Sequence, residues 1–282
     1  MPTADLPQGR VHYRDAGPAD SGLPPVVFLH GALVNGEIWA GVAAELAERG
    51  IRSYAPDLPL GSHPIALNHD ADLSPRGVAA LVLDFLAALD LTDVTLAGND
   101  TGGALCQFVI DTDAARIGRL VLINCDAFDK FPPQPFALMF KAASRPGRLR
   151  AMMATMRPVW ARHSVLGYGP LVSKPLDAAL TRRWIEPTLA DPGVRHDTAR
   201  FLGGLRPADL VDVSTRLANF KRPVLVLWGA ADRFFTPSLG RRLAGQFPDA
   251  RLVEVAGGRT FLPLDEPGLV AGEIAGFLVP AS

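Results

Sequence analysis

The sequence contains little cysteine and no long apolar run. Its two cysteines, Cys106 and Cys125, lie inside apolar stretches and lack the paired spacing of disulfide frameworks and zinc sites. No segment reaches the roughly 18 consecutive apolar residues that a membrane-spanning helix requires, and the first ten residues lack the basic and apolar regions of a signal peptide. These absences predict reduced cysteines, no structural zinc and a cytoplasmic location.

An excess of charge of either sign is also missing. The chain has 28 Lys and Arg against 29 Asp and Glu, a formal net charge of −1, and both signs occur along its whole length. A balanced chain of this kind indicates no continuous positive face for nucleic acid or anionic lipid. We therefore expect a small-molecule substrate of little or no charge as the partner, with no nucleic acid and no membrane, and with a homodimer left open.

Apolar residues are abundant, at 48% of 282 residues, and they follow alternating strand and helix patterns. Strand patterns such as "PPVVFLHG", "DVTLAG" and "RLVLINCDA" are separated by helix patterns such as "SPRGVAALVLDFLAALDL". In that helix Ser74 is the expected N-cap and Pro75 the first helical residue. The alternation predicts an α/β fold whose mostly parallel sheet is covered by helices on both faces.

Residues 128–217 interrupt the alternation. They begin with the proline-rich "FDKFPPQPF" and continue with helical segments that contain Met, Trp and Arg, without a convincing strand. Strand and helix patterns return with "RPVLVLWGAAD" and end with "GLVAGEIAGFL". We therefore predict a core formed by residues 1–127 and 218–282, with a helical cap, residues 128–217, inserted between its two parts.

One predicted turn between a strand and a helix, "AGNDTGG", has an aspartate at its centre. A Gly-x-x-x-Gly turn projects its central side chain, here Asp100, from the carboxyl edge of a parallel sheet, where open α/β proteins bind ligands. Gly98 and Gly102 allow the crowded turn, and Gly103 allows the helix to pack close to neighbouring strands. Asp100 is therefore either a catalytic carboxylate or only the N-cap of its helix.

With this turn and four further motifs the sequence resembles the α/β-hydrolase superfamily, in the branch of haloalkane dehalogenases and epoxide hydrolases, whose nucleophile is Asp instead of Ser. The motifs are "FLHG" at 28–31, "APDLP" at 55–59, "GNDTGG" at 98–103, "LWGAADRFFTP" at 227–237 and "FLPLDEP" at 261–267. The resemblance implies an α/β-hydrolase fold with an inserted helical cap. It also implies hydrolysis of a small, largely apolar substrate without a cofactor or a metal.

The resemblance further implies catalytic roles. Asp100 falls at the nucleophile and Asp232 at the acid of the catalytic triad. The backbone amides of Thr101 and of Ala32 or Leu33 would form the oxyanion hole.

Other candidate site residues are less specific. Trp160, Tyr168 and Trp184 could line an apolar pocket with the cap methionines, although the same residues at helical spacing fit a packed core. His30 is a possible pocket residue that in this motif usually braces its loop. Asp126 stands where some members of the branch place their acid, but a loop aspartate is the simpler interpretation.

The main departure from the family is the catalytic histidine. The family has Gly-His-Phe-hydrophobic-Pro after the last strand, whereas this chain has "GGRTFLP", with Thr260 at the histidine position and no histidine after His196. An Asp nucleophile needs that base to activate water against its covalent ester, and threonine cannot serve near neutral pH. A histidine relocated from a loop or the cap is the less favoured alternative. We expect water, rather than Arg259, to fill the gap between Asp100 and Asp232.

Further differences from the family motifs limit the reactions that the resemblance implies. Thr101 and Ala32 stand where dehalogenases carry a Trp and a second halide-binding residue, which disfavours dehalogenation. Leu33 replaces a proline of epoxide hydrolases, and Tyr168 is the only tyrosine of the cap, where those enzymes use two. Two function classes stay open: an enzyme in which Asp100 is nucleophile or general base toward an epoxide, ester or lactone, and a non-hydrolytic binder. A lyase or isomerase that uses Asp100 for proton transfer lies between them.

Overall fold

In the computed structural model, which describes residues 2–278, eight strands form one sheet. They are β1 (Thr3–Leu6), β2 (Gly9–Ala16), β3 (Val26–Leu29), β4 (Ser53–Pro56), β5 (Val94–Asp100), β6 (Ile117–Cys125), β7 (Val224–Gly229) and β8 (Ala250–Val255). The order in the sheet is β1-β2-β4-β3-β5-β6-β7-β8. Only β2 pairs antiparallel, with β1 and β4, within this described range. The predicted α/β class with a mostly parallel sheet is confirmed.

The central strands are apolar and buried on both faces. Every residue of β3 and β7 is buried, as expected for parallel strands that helices cover on both sides. The core helices are α1 (Ala40–Glu48), α2 (Pro75–Ala88) and α3 (Thr101–Thr112) before the cap, and α10 (Pro237–Ala244), α11 (Leu262–Asp265) and α12 (Pro267–Leu278) after it. Ser74 caps α2 as predicted, because its hydroxyl accepts a hydrogen bond from the Gly77 amide at 3.1 Å.

Between β6 and β7 the described chain folds into six helices; the first five contact one another, and the last packs on α3 of the core. They are α4 (Phe136–Ala143), α5 (Pro146–Thr155), α6 (Val159–Arg162), α7 (Ala178–Ala190), α8 (Pro192–Gly204) and α9 (Pro207–Ser214). We use the word cap for residues 128–217. None of the helices within residues 2–278 is both long and apolar enough to cross a membrane.

The candidate residues gather at the carboxyl edge of the sheet. Successive parallel strands end at this edge, so residues far apart in sequence follow neighbouring strands there. These residues are Ala32 after β3, Asp100 at the end of β5, Asp126 after β6, Asp232 after β7 and Thr260 after β8.

Candidate active site

Asp100 lies at the apex of a strained turn between β5 and α3. Its φ of 55° and ψ of −130° are uncommon for a residue with a side chain and recur at functional turns. The turn needs glycine because a Cβ on Gly102 would lie 2.1 Å from the Leu29 carbonyl oxygen, and one on Gly98 would lie 2.5 Å from the Gly102 carbonyl oxygen. Asp100 makes no side-chain capping hydrogen bond with α3, so the capping interpretation has no support here.

Two backbone amides face the Asp100 carboxylate. Hydrogen bonding from the amides of Thr101 and Ala32 favours the ionised form and lowers its pKa. The Leu33 amide does not take part, because it donates to the Leu60 carbonyl at 2.9 Å. Of the two amides predicted after His30 and Gly31, the structure therefore directs that of Ala32 to the site.

The Asp100 side chain borders a small apolar cavity between core and cap, with a volume of about 120 Å³. Asp100 is the only charged residue among the described residues that line it. The lining residues are Ala32, Leu33, Asp100, Pro132, Pro133, Phe136, Met139, Phe140, Met152, Met153, Thr155, Met156, Leu166, Gly167, Tyr168, Leu171 and Phe235. The cavity suits a small molecule without charge.

The predicted pocket residues occupy different places. Tyr168 lines the cavity, and its hydroxyl donates to the Leu33 carbonyl at 2.8 Å. Trp184 is fully buried behind Tyr168, with ring centroids 5.1 Å apart, and lies outside the cavity wall. Trp160 is 77% exposed on the cap surface, so its prediction as a pocket residue is wrong. Helical spacing could not distinguish these three environments.

His30 braces the loop after β3 and does not enter the cavity. Its Nδ1 donates to the Gly31 carbonyl at 2.8 Å, and its Nε2 accepts from the Leu58 amide at 2.8 Å. Burial lowers the pKa of His30 to about 4, so the ring is neutral near pH 7. Both nitrogens are engaged, which leaves none to act as a base.

Thr260 is fully buried and donates its hydroxyl to Asp232 Oδ2 at 2.9 Å. The same oxygen accepts from Asn124 Nδ2 at 2.9 Å, while Asp232 Oδ1 accepts from two amides that follow it in the chain. Arg259 points elsewhere and donates to the Val172 carbonyl at 2.8 Å, as expected from the opposite directions of consecutive residues. Thr260 thus holds the acid directly.

Asp100 has an unusually high proton affinity. Burial, with a contribution from the Asp232 charge, raises the pKa of Asp100 to about 7, and the amides of Thr101 and Ala32 oppose this increase. Burial also raises the pKa of Asp232, against the stabilisation that Thr260 and Asn124 provide. The site therefore contains a carboxyl group that titrates near neutral pH.

A third aspartate, Asp126, lies beside Asp100 in the loop after β6, as the sequence predicted, and is buried there. It is fully buried, and its amide donates to the Asp100 carbonyl at 3.3 Å. Neither carboxyl oxygen lies in hydrogen-bonding geometry with a described residue. Burial and the Asp100 charge raise the pKa of Asp126 well above its ordinary value, although the nearby Thr101 hydroxyl opposes this. Its place after the buried strand β6 was the available signal. Within residues 2–278 no group of three or more His, Cys, Asp or Glu side chains could hold a metal ion.

No histidine of the described chain lines the cavity, although all six lie within that range. The five besides His30 have partners elsewhere: His12 contacts Asp57 at 2.7 Å, His63 contacts Asp197 at 3.4 Å, His163 contacts Thr181 at 3.0 Å, and the rings of His69 and His196 stack at 5.1 Å. A relocated histidine base thus has no structural support.

Comparison with known proteins places this site in context. Residues 26–273 match the alpha/beta hydrolase family. The chain is 26% identical to haloalkane dehalogenase 2 of Mycobacterium tuberculosis over 96% of this chain and 92% of that protein. It is also 26% identical to 2-hydroxy-6-oxo-6-phenylhexa-2,4-dienoate hydrolase of Burkholderia cepacia over 86% of this chain and 82% of that protein.

Solved structures show the same fold. Haloalkane dehalogenase DbeA of Bradyrhizobium elkani matches 98% of this chain and 96% of its own with a TM-score of 0.79 and 20% identity. The epoxide hydrolase CorEH matches 99% of this chain and 98% of its own with a TM-score of 0.78 and 20% identity. At these identities the structures establish the architecture alone.

Proposed function

Because the chain belongs to the alpha/beta hydrolase family, we propose that it is an enzyme in which the Asp100 carboxylate acts on a small, uncharged, largely apolar substrate such as an epoxide, ester or lactone. The observation that carries this proposal is the position of Asp100, the single charged residue at the described wall of an apolar cavity. The same cavity argues against an anionic substrate such as the dienoate named for one relative, since none of the described residues that line it is a cation.

We assign Asp100 the role of general base. A base is most effective when its pKa lies near the working pH, and burial raises the pKa of Asp100 to about 7. In hydrolysis Asp100 takes a proton from a water molecule as the water oxygen bonds to the carbonyl or epoxide carbon. The C–O bond to the leaving oxygen then breaks, and that oxygen takes the proton back from Asp100, which regenerates the carboxylate. No histidine is needed for this step.

The two amides favour a second candidate, covalent catalysis by the same carboxylate. With the amides of Ala32 and Thr101 facing the Asp100 carboxylate, a carboxylate oxygen attacks an electrophilic carbon, and the bond from that carbon to its leaving oxygen breaks, the leaving oxygen taking up a proton from solvent. The product is an ester of Asp100, and Thr260, which stands at the histidine position, cannot act as a base for its rapid hydrolysis. Mass spectrometry separates the candidates, because only the covalent route leaves an adduct on Asp100.

Turnover of an uncharged panel of epoxides, aryl esters and lactones tests the enzyme proposal. We expect kcat/KM for at least one class to rise with pH up to about 7 and then to level off, because the base must be deprotonated. A carboxylate-bearing analogue of the same substrate is expected to react at least tenfold more slowly. Rates equal to those of Asp100→Ala across the whole panel would leave a binding protein instead of an enzyme.

Hydrolysis of simple haloalkanes is expected to be negligible despite the dehalogenase relatives. A departing halide needs hydrogen-bond donors, and no side chain that lines the described cavity carries an N–H group. Trp184 and Trp228 do not supply one, since neither lines the cavity. Halide release from short bromoalkanes should match that of Asp100→Ala; release more than tenfold faster contradicts this prediction.

A further inference from the structure

The charges of this chain are segregated between its two parts, although the total is close to zero. Residues 128–217 contain 14 Lys and Arg against 7 Asp and Glu, whereas the remaining residues contain 14 against 22. Formal charges are therefore +7 for the cap and −8 for the core. The prediction of no membrane partner rested on the total charge and did not account for this segregation.

The positive charge is concentrated in one stretch of the cap. From Lys130 to Leu176 there are eight Lys and Arg and no Asp or Glu. Five of these cations are exposed and form no ion pair with any residue in the 2–278 range: Lys141, Arg145, Arg148, Arg150 and Arg157. They lie on α4, α5 and the segments that flank α5.

Large apolar side chains are exposed in the same stretch. We call them the apolar rim: Leu138, Val159, Trp160, Val165 and Leu166. Leu166 is 89% exposed and also lines the cavity, and Leu138 precedes Met139, another lining residue. Leu166 thus connects the apolar rim with the cavity wall. Exposed apolar patches on a monomer mark interaction surfaces.

We propose that this face of the cap docks on an anionic lipid bilayer. Exposed aromatic and aliphatic side chains in one segment with unpaired cations are the chemistry of helices that lie at a membrane interface, where the cations meet lipid phosphates and the apolar groups enter the acyl boundary. Nucleic acid would leave the aliphatic groups of Val165 and Leu166 without a function. A second copy of the chain, bound through the same face, would bring two strongly positive caps together.

Docking would place the cavity entrance at the apolar phase. A small apolar substrate concentrates in a bilayer, and Leu166 belongs both to the docking face and to the cavity wall. This inference concerns surface chemistry and does not depend on the role of Asp100.

The chain carries its own reporter for docking. Of its four tryptophans, Trp160 is 77% exposed, while Trp39, Trp184 and Trp228 are fully buried. With vesicles of phosphatidylglycerol and phosphatidylcholine we expect sedimentation of the protein with the lipid and a blue shift of tryptophan emission. Vesicles of phosphatidylcholine alone should give neither. Trp160→Phe should still sediment but lose the shift.

Matched charge reversals complete the test. Arg148→Glu with Arg150→Glu should weaken binding to the anionic vesicles at least tenfold. Lys221→Glu with Arg222→Glu makes the same change of charge on exposed residues just before β7, at the opposite edge of the sheet, and should change binding less than twofold. Equal effects of the two pairs, no sedimentation, or a Trp160 shift that follows protein concentration without lipid would each overturn the proposal, the last by showing self-association.

Discussion

Asp100→Asn is expected to lower turnover of the best panel substrate by roughly 10²- to 10⁴-fold, the usual contribution of a positioned general base. The amide retains the size of the carboxyl group and an oxygen that can accept from the amides of Ala32 and Thr101, so the cavity should stay intact. KM should change far less than kcat. The control is Asp20→Asn, a change at an exposed residue outside the cap, which should match the wild type.

Asp100→Asn should also be more stable than the wild type above neutral pH. The pKa of Asp100 is about 7 in the folded protein and 3.8 in the unfolded chain. The folded protein therefore binds the Asp100 proton more tightly than the unfolded chain does. Stability that depends on this proton is fully present below pH 3.8 and is lost as the pH rises through about 7. The expected gain for Asp100→Asn is on the order of 3 kcal/mol at pH 8 and small at pH 4.

Thermal denaturation at the two pH values measures this difference. A gain that is equal at pH 4 and pH 8 would show that Asp100 ionises normally, and the general-base assignment would lose its physical basis. Loss of turnover without the pH-dependent gain would instead favour the covalent route.

Thr260→His is expected to accelerate the breakdown of an Asp100 ester by roughly 10²- to 10⁴-fold, because it restores a base near the attacking water. Thr260 already contacts Asp232 Oδ2 at 2.9 Å, so an imidazole there can pair with the acid through one nitrogen and face Asp100 with the other. Thr260 is fully buried, and the larger ring should cost roughly 1–3 kcal/mol of stability.

Mass spectrometry after exposure to a small aliphatic epoxide follows the adduct. It should persist in the wild type and in Thr260→Val, which removes the hydroxyl at similar volume, and clear in Thr260→His. NMR titration supplies the check on geometry: an imidazole pKa above 6.5 reports pairing with Asp232. If the imidazole of Thr260→His pairs with Asp232 and the Asp100 adduct nevertheless persists, then a base at position 260 does not restore ester hydrolysis.

Much of the fold was predictable because its signals are local. Ser74 followed by Pro75 begins α2, and the glycines around Asp100 exclude any side chain that would crowd the turn. The hairpin of β1 and β2 was not predicted in full, since β1 has four residues with alternating exposure, too few for a distinct pattern.

The site was less predictable because its decisive contacts are tertiary. The Leu33 amide is lost to the Leu60 carbonyl, a partner 27 positions away that no motif specifies. The position of Asp126 after the buried strand β6 was the one signal in the sequence, and it does not show that the carboxyl group is buried beside Asp100. Trp160 and Trp184 are the same residue type in helical segments of the cap, yet Trp160 is exposed and Trp184 is buried.

The segregated charge also makes the molecule an electric dipole. A molecule whose cap carries +7 and whose core carries −8 experiences a torque near a charged surface, so its net charge of −1 does not determine its orientation on arrival. Ions screen this torque beyond about 8 Å at physiological ionic strength, so the orientation is set only within that distance of the surface. On the docking proposal, we expect the cap, together with the cavity wall at Leu166, to meet an anionic surface first.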